Sequence, residues 1–124
     1  MQAKPGTYAL IMACTGERQV DIGKLGQLCV RPGFYVYVGS AFGPGGLKAR
    51  IAHHAKVARR SHWHIDYLRP VCHLNQIWYS YESEKHEHRW AGALSRFERA
   101  TIPLAGFGAS DCRCGGHLFY ASKL

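Results

Sequence analysis

The sequence predicts an α+β domain with a small, mostly antiparallel β-sheet and helices packed on it. Short apolar runs bounded by turn residues predict the strands, and two longer segments with apolar residues at helical spacing predict the helices. The chain has 124 residues, of which 47% are hydrophobic. This length and composition suit a single domain over residues 1–124 with a core of its own.

The predicted strands differ in how deeply they should be buried. The segment "TYALIMAC" is apolar on both faces, which is typical of a central strand. "RQVDIG" and "KLGQLCV" predict two short strands or a longer β-excursion, and "FYVYV", "HLNQIWYSY" and "HLFYAS" predict the others. Because side chains alternate along a strand, Tyr35 and Tyr37 should lie on the face opposite Phe34, Val36 and Val38.

The first predicted helix is "GLKARIAHHAKVARR", directly after a glycine-rich loop. Its apolar stripe is formed by Leu47, Ile51, Ala55 and Ala58. Arg50, His54 and Val57 lie on the adjoining face because they are three or four positions apart. His53 should point elsewhere, since adjacent helix positions diverge by about 100°.

The second predicted helix is "SEKHEHRWAGALSRFERA". Ser83 is its expected N-cap, with Glu84 in the first turn. Its apolar face is formed by Trp90, Leu94 and Phe97. Between the two helices, "SHWHIDYL" alternates polar and apolar residues but also fits a short helix, and periodicity does not decide between them.

Charge and hydropathy restrict the class of partner. Sixteen Lys and Arg residues against eight Asp and Glu residues give a net charge of +8. This excess favours a polyanion, with DNA expected first and RNA also compatible. No stretch approaches the roughly 20 apolar residues that span a bilayer, and the first residues are a poor signal peptide. We therefore predict a cytoplasmic protein with no membrane contact.

The five cysteines are odd in number and scattered in spacing, namely Cys14, Cys29, Cys72, Cys112 and Cys114. Without a secretory signal, this pattern does not predict a disulfide framework. Cys14 and Cys29 lie in apolar runs and are predicted to be core residues.

Two short motifs carry a family resemblance. "GTY" begins one predicted strand, "YVG" ends another, and Arg50 and Glu87 follow on the two helices. This order resembles the GIY-YIG nuclease superfamily, and "YVYVGSA", "HWHIDYL" and "FGASDC" resemble a branch of short, poorly characterised members. The resemblance implies a three-stranded antiparallel core flanked by helices, and cleavage of DNA phosphodiesters with one divalent metal ion. Thr7 and Val38 replace the isoleucines of the motif, and the segment between the two tyrosines is longer than usual.

The resemblance also implies roles for particular residues. Tyr8, Tyr37 and Arg50 would face the reacting phosphate, and Glu87 would hold Mg²⁺ or Mn²⁺, the metals that prefer oxygen ligands. Tyr8 would act as the base or orient the attacking water, with its pKa lowered by the metal and Arg50. The guanidinium of Arg50 suits two phosphate oxygens, and His54, one turn later, would bind phosphate or relay a proton.

Other residues around these positions extend the predicted site. Gly39, Ser40 and Lys48 are expected to bind phosphate. The glycines of the loop should allow close backbone approach, and the first amides of the following helix should add to the anion site. Glu82 and Glu84 are nearby rivals of Glu87 for the metal.

A second cluster of histidine and cysteine residues has two main interpretations, besides a Cys–His nucleophile pair for which no oxyanion-hole signal lies beside it in the sequence. Cys112, Cys114 and His117, with His62 or His64, could supply four ligands to a structural Zn²⁺ ion. The C-x-C spacing departs from the common C-x-x-C knuckle, which argues against zinc. The alternative is a hydrogen-bonded brace in which His64 and Asp66 hold the "SDC" loop.

The function predicted from these observations is a metal-dependent DNA endonuclease. A chain this short has little room for sequence readout, so it should recognise DNA structure or take its specificity from a protein partner. One alternative is a nucleic-acid-binding module that does not cleave. Another is a zinc-stabilised interaction protein.

Overall fold

Six strands and three helices form the part of the fold that the structure describes. The computed structural model describes residues 1–57, 60–61, 63–108 and 116–123. The elements in chain order are β1 (Gly6–Cys14), β2 (Arg18–Ile22), β3 (Gly26–Val30), β4 (Gly33–Ser40), α1 (Gly46–Ala55), α2 (His64–Leu68), β5 (His73–Tyr81), α3 (Glu87–Ser95) and β6 (Leu118–Ala121). An antiparallel four-stranded sheet has the order β5-β1-β4-β6, and β2 and β3 form a separate hairpin. The α+β class is confirmed, and the predicted three-stranded core gains a fourth strand.

The sheet separates two apolar layers. Residues of β1 that alternate from Tyr8 to Met12 pack in the larger layer with α1, α2 and the β2–β3 hairpin. The intervening residue Ala9 packs in the smaller layer with Val38 of β4 and Ala91 of α3. Strand β1 is apolar on both faces because both of its faces are covered. Helices α1 and α3 therefore lie on opposite sides of the sheet.

The helices are shorter than their patterns predict. Helix α1 ends at Ala55 because Lys56 is extended, and Ala55 is exposed where a stripe residue was expected; the stripe residue Ala58 lies outside the described residues. Segment "SHWHIDYL" contains the short helix α2, which settles the alternative left open by periodicity.

Helix α3 begins four residues after the predicted N-cap. The preceding segment is tied to the strands instead, because Glu82 N–H donates to the Pro5 carbonyl and Ser80 Oγ donates to Glu82 Oε1. The helix ends at Ser95, so Phe97 lies beyond it and is 57% exposed. The prediction that Phe97 belongs to the apolar face was wrong.

Cys14 and Cys72 form a disulfide across 58 positions of sequence, which corrects the expectation of no disulfide. Cys14 is buried as predicted, but Cys29 is an exposed free cysteine. Cys29 faces outward because it alternates with buried Leu28 and Val30 along β3. Disulfides are rare in cytosolic proteins, so this bond does not support the predicted cytoplasmic location.

Loss of the disulfide should lower the free energy of unfolding. Closing a loop of this length removes chain entropy from the unfolded state, which corresponds to about 4 kcal/mol. Under non-reducing conditions, we expect Cys14→Ser to unfold at a lower denaturant concentration than the wild type. Cys29→Ser is the matched control and should unfold at the wild-type midpoint. A Cys14→Ser protein as stable as the control would contradict this prediction.

Within the described ranges, no helix combines the length and the hydropathy that crossing a membrane requires.

Candidate active site at the end of the sheet

Ser40, the last residue of β4, joins side chains that approach from the two faces of the sheet. Arg50 of α1 donates from one guanidinium nitrogen to the Ser40 carbonyl oxygen at 3.1 Å. Ser40 Oγ donates to Glu87 Oε1 of α3 at 2.9 Å. Because β4 ends here, the two helices on opposite faces reach the same residue around the rim of the sheet. The structure thus brings the predicted cation and the predicted carboxylate together.

Arg50 is held in place by three neighbours. Besides the Ser40 carbonyl, its guanidinium lies over the ring of Trp63 with 4.2 Å to the ring centroid, and it hydrogen-bonds to Tyr8. The side chain remains partly exposed. A planar, fixed and accessible guanidinium is suited to binding two oxygens of a phosphate group.

Tyr8 and His54 form a buried hydrogen-bonded pair beneath Arg50. The Tyr8 hydroxyl and His54 Nε2 are 2.7 Å apart, and each side chain is about 1% exposed. Burial raises the pKa of Tyr8 above its ordinary value, although Arg50 opposes this effect. Burial lowers the pKa of His54 to about 3, so the imidazole is neutral near pH 7. Arg50 does lower the pKa of Tyr8, as expected, but the desolvation of the phenolate outweighs this effect and the net shift of the pKa is upward.

Tyr37 lies beside this pair but is also buried. Its ring centroid is 6.4 Å from that of Tyr8 and 6.2 Å from that of His54. Burial raises the pKa of Tyr37 well above its ordinary value, and the neighbouring Tyr8 and Glu87 add to this effect. Tyr37 is therefore a neutral phenol at physiological pH.

Glu87 is ionised and partly accessible. Its second oxygen, Oε2, lies 3.1 Å from His117 Nδ1, and its side chain is 18% exposed. Burial would raise the pKa of Glu87, but hydrogen bonds from His117 and Ser40, together with the charges of His117 and His88, lower it below the ordinary value. The rival Glu82 pairs with His86 at 3.1 Å, whereas Glu84 is exposed on the surface.

The Glu87 carboxylate fits a single hard divalent cation. Mg²⁺ is commonly held by one or two carboxylates and keeps several waters or takes substrate phosphate oxygens as its other ligands. Each carboxylate oxygen has two lone pairs, so the contacts with Ser40 and His117 leave acceptor capacity. Glu87 would hold the ion, which would supply a bound water of lowered pKa and neutralise charge on the phosphate.

Gly39, predicted to bind phosphate, has a structural role. A Cβ atom at this position would meet the ring and hydroxyl of Tyr8, so glycine is required for Tyr8 to lie across β4. Lys48 is exposed and is two helix positions from Arg50, a rotation of about 200°. The structure brings only Ser40 of the predicted phosphate-binding residues into contact with both Arg50 and Glu87.

The start of α1 does not offer an anion site. The first four amides, of residues 46–49, donate to the carbonyls of Gly43, Lys4, Gln2 and Gly45 respectively. Gly46 has a φ of 59°, and a Cβ atom there would meet the Lys4 backbone. Gly46 therefore allows close approach of the chain's own first residues and not of phosphate, whereas an added Cβ at Gly43 would lie 4.0 Å from a guanidinium nitrogen of Arg50.

The histidine and cysteine cluster is only partly described. His62, Cys112 and Cys114 lie outside the described residues, as does most of the predicted "SDC" loop. His117 lies against Glu87, and His64 Nδ1 accepts a hydrogen bond of 2.7 Å from Gly108 N–H. His64 therefore does brace the segment that precedes this loop.

Asp66 contacts His53 and Trp63, whereas its predicted contact with the "SDC" loop falls on residues outside the described ranges. Its Oδ1 atom lies 2.9 Å from His53 Nε2, and its Oδ2 atom accepts from the Trp63 backbone N–H. Neither His53 nor Trp63 was predicted from the sequence to be a site residue. No pattern within "SHWHIDYL" distinguishes Trp63 from its neighbours, and its contact with Arg50 is seen only in the structure.

The chain belongs to the family described as "Domain of unknown function DUF123", whose model matches residues 7–124. This match corrects the assignment to the GIY-YIG nuclease superfamily, because the family found across nearly the whole chain is an uncharacterised one and no GIY-YIG assignment accompanies it. No curated protein and no solved structure matches the chain.

Proposed function

We propose that the protein is a divalent-metal-dependent endonuclease that hydrolyses DNA phosphodiester bonds. The observation that carries the proposal is the pair of contacts at Ser40, which sets the Arg50 guanidinium and the ionised Glu87 carboxylate on one residue at the sheet rim. Phosphodiester hydrolysis requires stabilisation of negative charge on the phosphate and activation of water. Arg50 would supply the first, and Glu87 would hold a Mg²⁺ or Mn²⁺ ion that could supply the second.

The buried residues Tyr8 and His54 support this chemistry indirectly, by holding Arg50 in position. Tyr8 and His54 are too enclosed to touch a substrate, and both are neutral at physiological pH. Tyr8 therefore positions Arg50 through its hydrogen bond, and His54 in turn holds the Tyr8 hydroxyl. Trp63 restricts the guanidinium on its other side. A guanidinium fixed before substrate arrives needs no reorganisation to stabilise the transition state.

The surface beside the site suits a nucleic acid. Strand β5 exposes Trp78, Tyr79 and Tyr81 at the edge of the sheet. Its last residues pair with the first residues of β1, and Thr7 of β1 in turn pairs with Ser40. The exposed aromatic rings thus lie at the same end of the sheet as Arg50. Bases stack on such rings, and the net charge of +8 favours the phosphate backbone.

Metal-dependent cleavage tests the proposal. Supercoiled plasmid and branched, flapped or nicked oligonucleotide duplexes should be cut by the wild-type protein with Mg²⁺ or Mn²⁺ and left intact with chelator. Glu87→Gln, which keeps the side chain's size, should reduce cutting to the chelator level. Exposed Glu84→Gln is the matched control and should cut like the wild type. Equal product from wild type and Glu87→Gln would overturn the proposal.

Burial of Tyr8 and His54 favours a second candidate, a module that binds nucleic acid without cleaving it. Neither of these side chains is available as a base toward an external substrate. Such a module would bind labelled DNA with an affinity that falls steeply as salt rises, and Glu87→Gln would bind like the wild type. Cleavage that depends on Glu87 would exclude this candidate.

A further inference from the structure

His53 and His54 at the end of α1 and Asp66 of α2 form a group that we name the His-His-Asp cluster. Each residue offers one ligand atom, and the three atoms all lie within 4.8 Å of one another. We propose that this cluster binds a first-row transition-metal ion, Zn²⁺ in particular. This site is separate from the oxygen-ligand site proposed at Glu87 and does not depend on the protein being a nuclease.

The donor set determines the kind of metal. Two imidazole nitrogens and one carboxylate oxygen suit Zn²⁺ and its neighbours, whereas Mg²⁺ and Ca²⁺ prefer oxygen ligands alone. Three protein ligands would leave a fourth position of a tetrahedral ion for water or another group. His53 is 32% exposed, which gives an ion a path to the cluster from solvent.

His54 has an unsatisfied nitrogen that a metal ion would satisfy. Its Nε2 atom is occupied by the Tyr8 hydroxyl, while its buried Nδ1 atom has no hydrogen-bond partner. Buried polar atoms without a partner are unusual in folded proteins. Binding through Nδ1 would leave the proton on Nε2 and direct it to the Tyr8 oxygen. Metal-bound histidines commonly donate their other ring N–H to such an acceptor.

Asp66 is already oriented for a ligand role. The Trp63 backbone N–H donates to Oδ2 at 3.0 Å, and Oδ1 faces His53 at 2.9 Å. Its carboxylate is the one negative charge of the cluster, and it is 2% exposed. The guanidinium groups of Arg50 and Arg69 act on His54 and oppose a further cation. We therefore expect weaker Zn²⁺ binding than in a closed structural site.

Zinc titration of the full chain tests the proposal. After removal of bound metal with chelator and dialysis, calorimetric titration with Zn²⁺ should show one ion bound per chain through the cluster. Asp66→Asn and His53→Ala should each weaken this binding at least tenfold, because even the loss of a residue that only hydrogen-bonds to a metal ligand costs about 10- to 100-fold in metal affinity. His73→Ala, which removes an exposed histidine outside the cluster, is the control and should bind like the wild type.

Cysteine ligands must be distinguished from this cluster. Co²⁺ bound in place of Zn²⁺ should give visible absorption without a thiolate-to-cobalt charge-transfer band, and the Cys112→Ser/Cys114→Ser protein should give the same spectrum. If Asp66→Asn fails to fold, as judged by circular dichroism, His53→Ala carries the test because His53 is partly exposed. The proposal is overturned by absence of Zn²⁺ binding, by a thiolate band, or by wild-type affinity in His53→Ala.

Discussion

Arg50→Ala should lower metal-dependent DNA cleavage by roughly 10²- to 10³-fold, the range found when one preorganised donor to a transition-state oxyanion is removed. The guanidinium is the fixed cation of the site, since Ser40, Trp63 and Tyr8 hold it from three sides. Arg50→Lys should recover only part of the activity. An ammonium keeps the charge but has neither the planar fork nor the shape that stacks on Trp63. Cleavage rates at saturating DNA give the comparison.

A second variant separates this effect from a general loss of positive charge. Arg18→Ala removes an exposed arginine of β2 and should leave the rate within about twofold of the wild type, because isolated surface charges contribute little. Thermal unfolding of each protein excludes misfolding as the cause. Cleavage by Arg50→Ala at the wild-type rate would show that Arg50 does not act on the phosphate.

His54 should make the protein lose stability as the pH falls. The pKa of His54 is 6.5 in an unfolded chain and about 3 in the fold, first because of burial and then because of His53, Arg50 and Arg69, with Asp66 opposing. The unfolded state therefore binds the proton more readily. The stability that depends on neutral His54 is complete above pH 6.5 and is lost between pH 6.5 and 3. The total is on the order of 5 kcal/mol.

The His54→Gln variant isolates this contribution. Glutamine does not titrate, and its amide can still hydrogen-bond to the Tyr8 hydroxyl. Denaturant unfolding in chelator at pH 7, 5 and 3.5 should show a shallower decline of stability for the variant. Glu87, whose pKa is lowered in the fold, contributes to the decline in both proteins, so the difference between the two slopes reports on His54. His73→Gln is the control, and equal slopes for His54→Gln and wild type would contradict the prediction.

The strands were predicted well because local pattern decides them. "HLNQIWYSY" corresponds to β5, and "TYALIMAC" extends by one residue to β1. Their β-branched and aromatic residues favour extended backbone wherever they pack. Helix ends were predicted less well, since α1 and α3 end or begin where contacts with distant segments compete. The hydrogen bond from the Glu82 N–H to the Pro5 carbonyl is one such contact.

The candidate site, too, was only partly predicted from the sequence. Tyr8, Arg50, His54 and Glu87 were named from the sequence, and the structure brings all four to one end of the sheet. The burial of Tyr8 and His54 was not predicted. Whether Tyr8 is an exposed base or an enclosed phenol depends on how α1 covers β1, and no local pattern contains that information.

The sequence by itself determined the α+β class, the order of the strands along the chain and the excess of positive charge, because these follow from composition and short-range periodicity. Only the tertiary structure decided that Cys14 bonds to Cys72, that Asp66 pairs with His53, and that Ser40 joins Arg50 to Glu87. Each of these contacts connects residues at least 10 positions apart. Such contacts form only after the intervening chain has been packed. They are selected by the packing energy, which depends on all of the residues together.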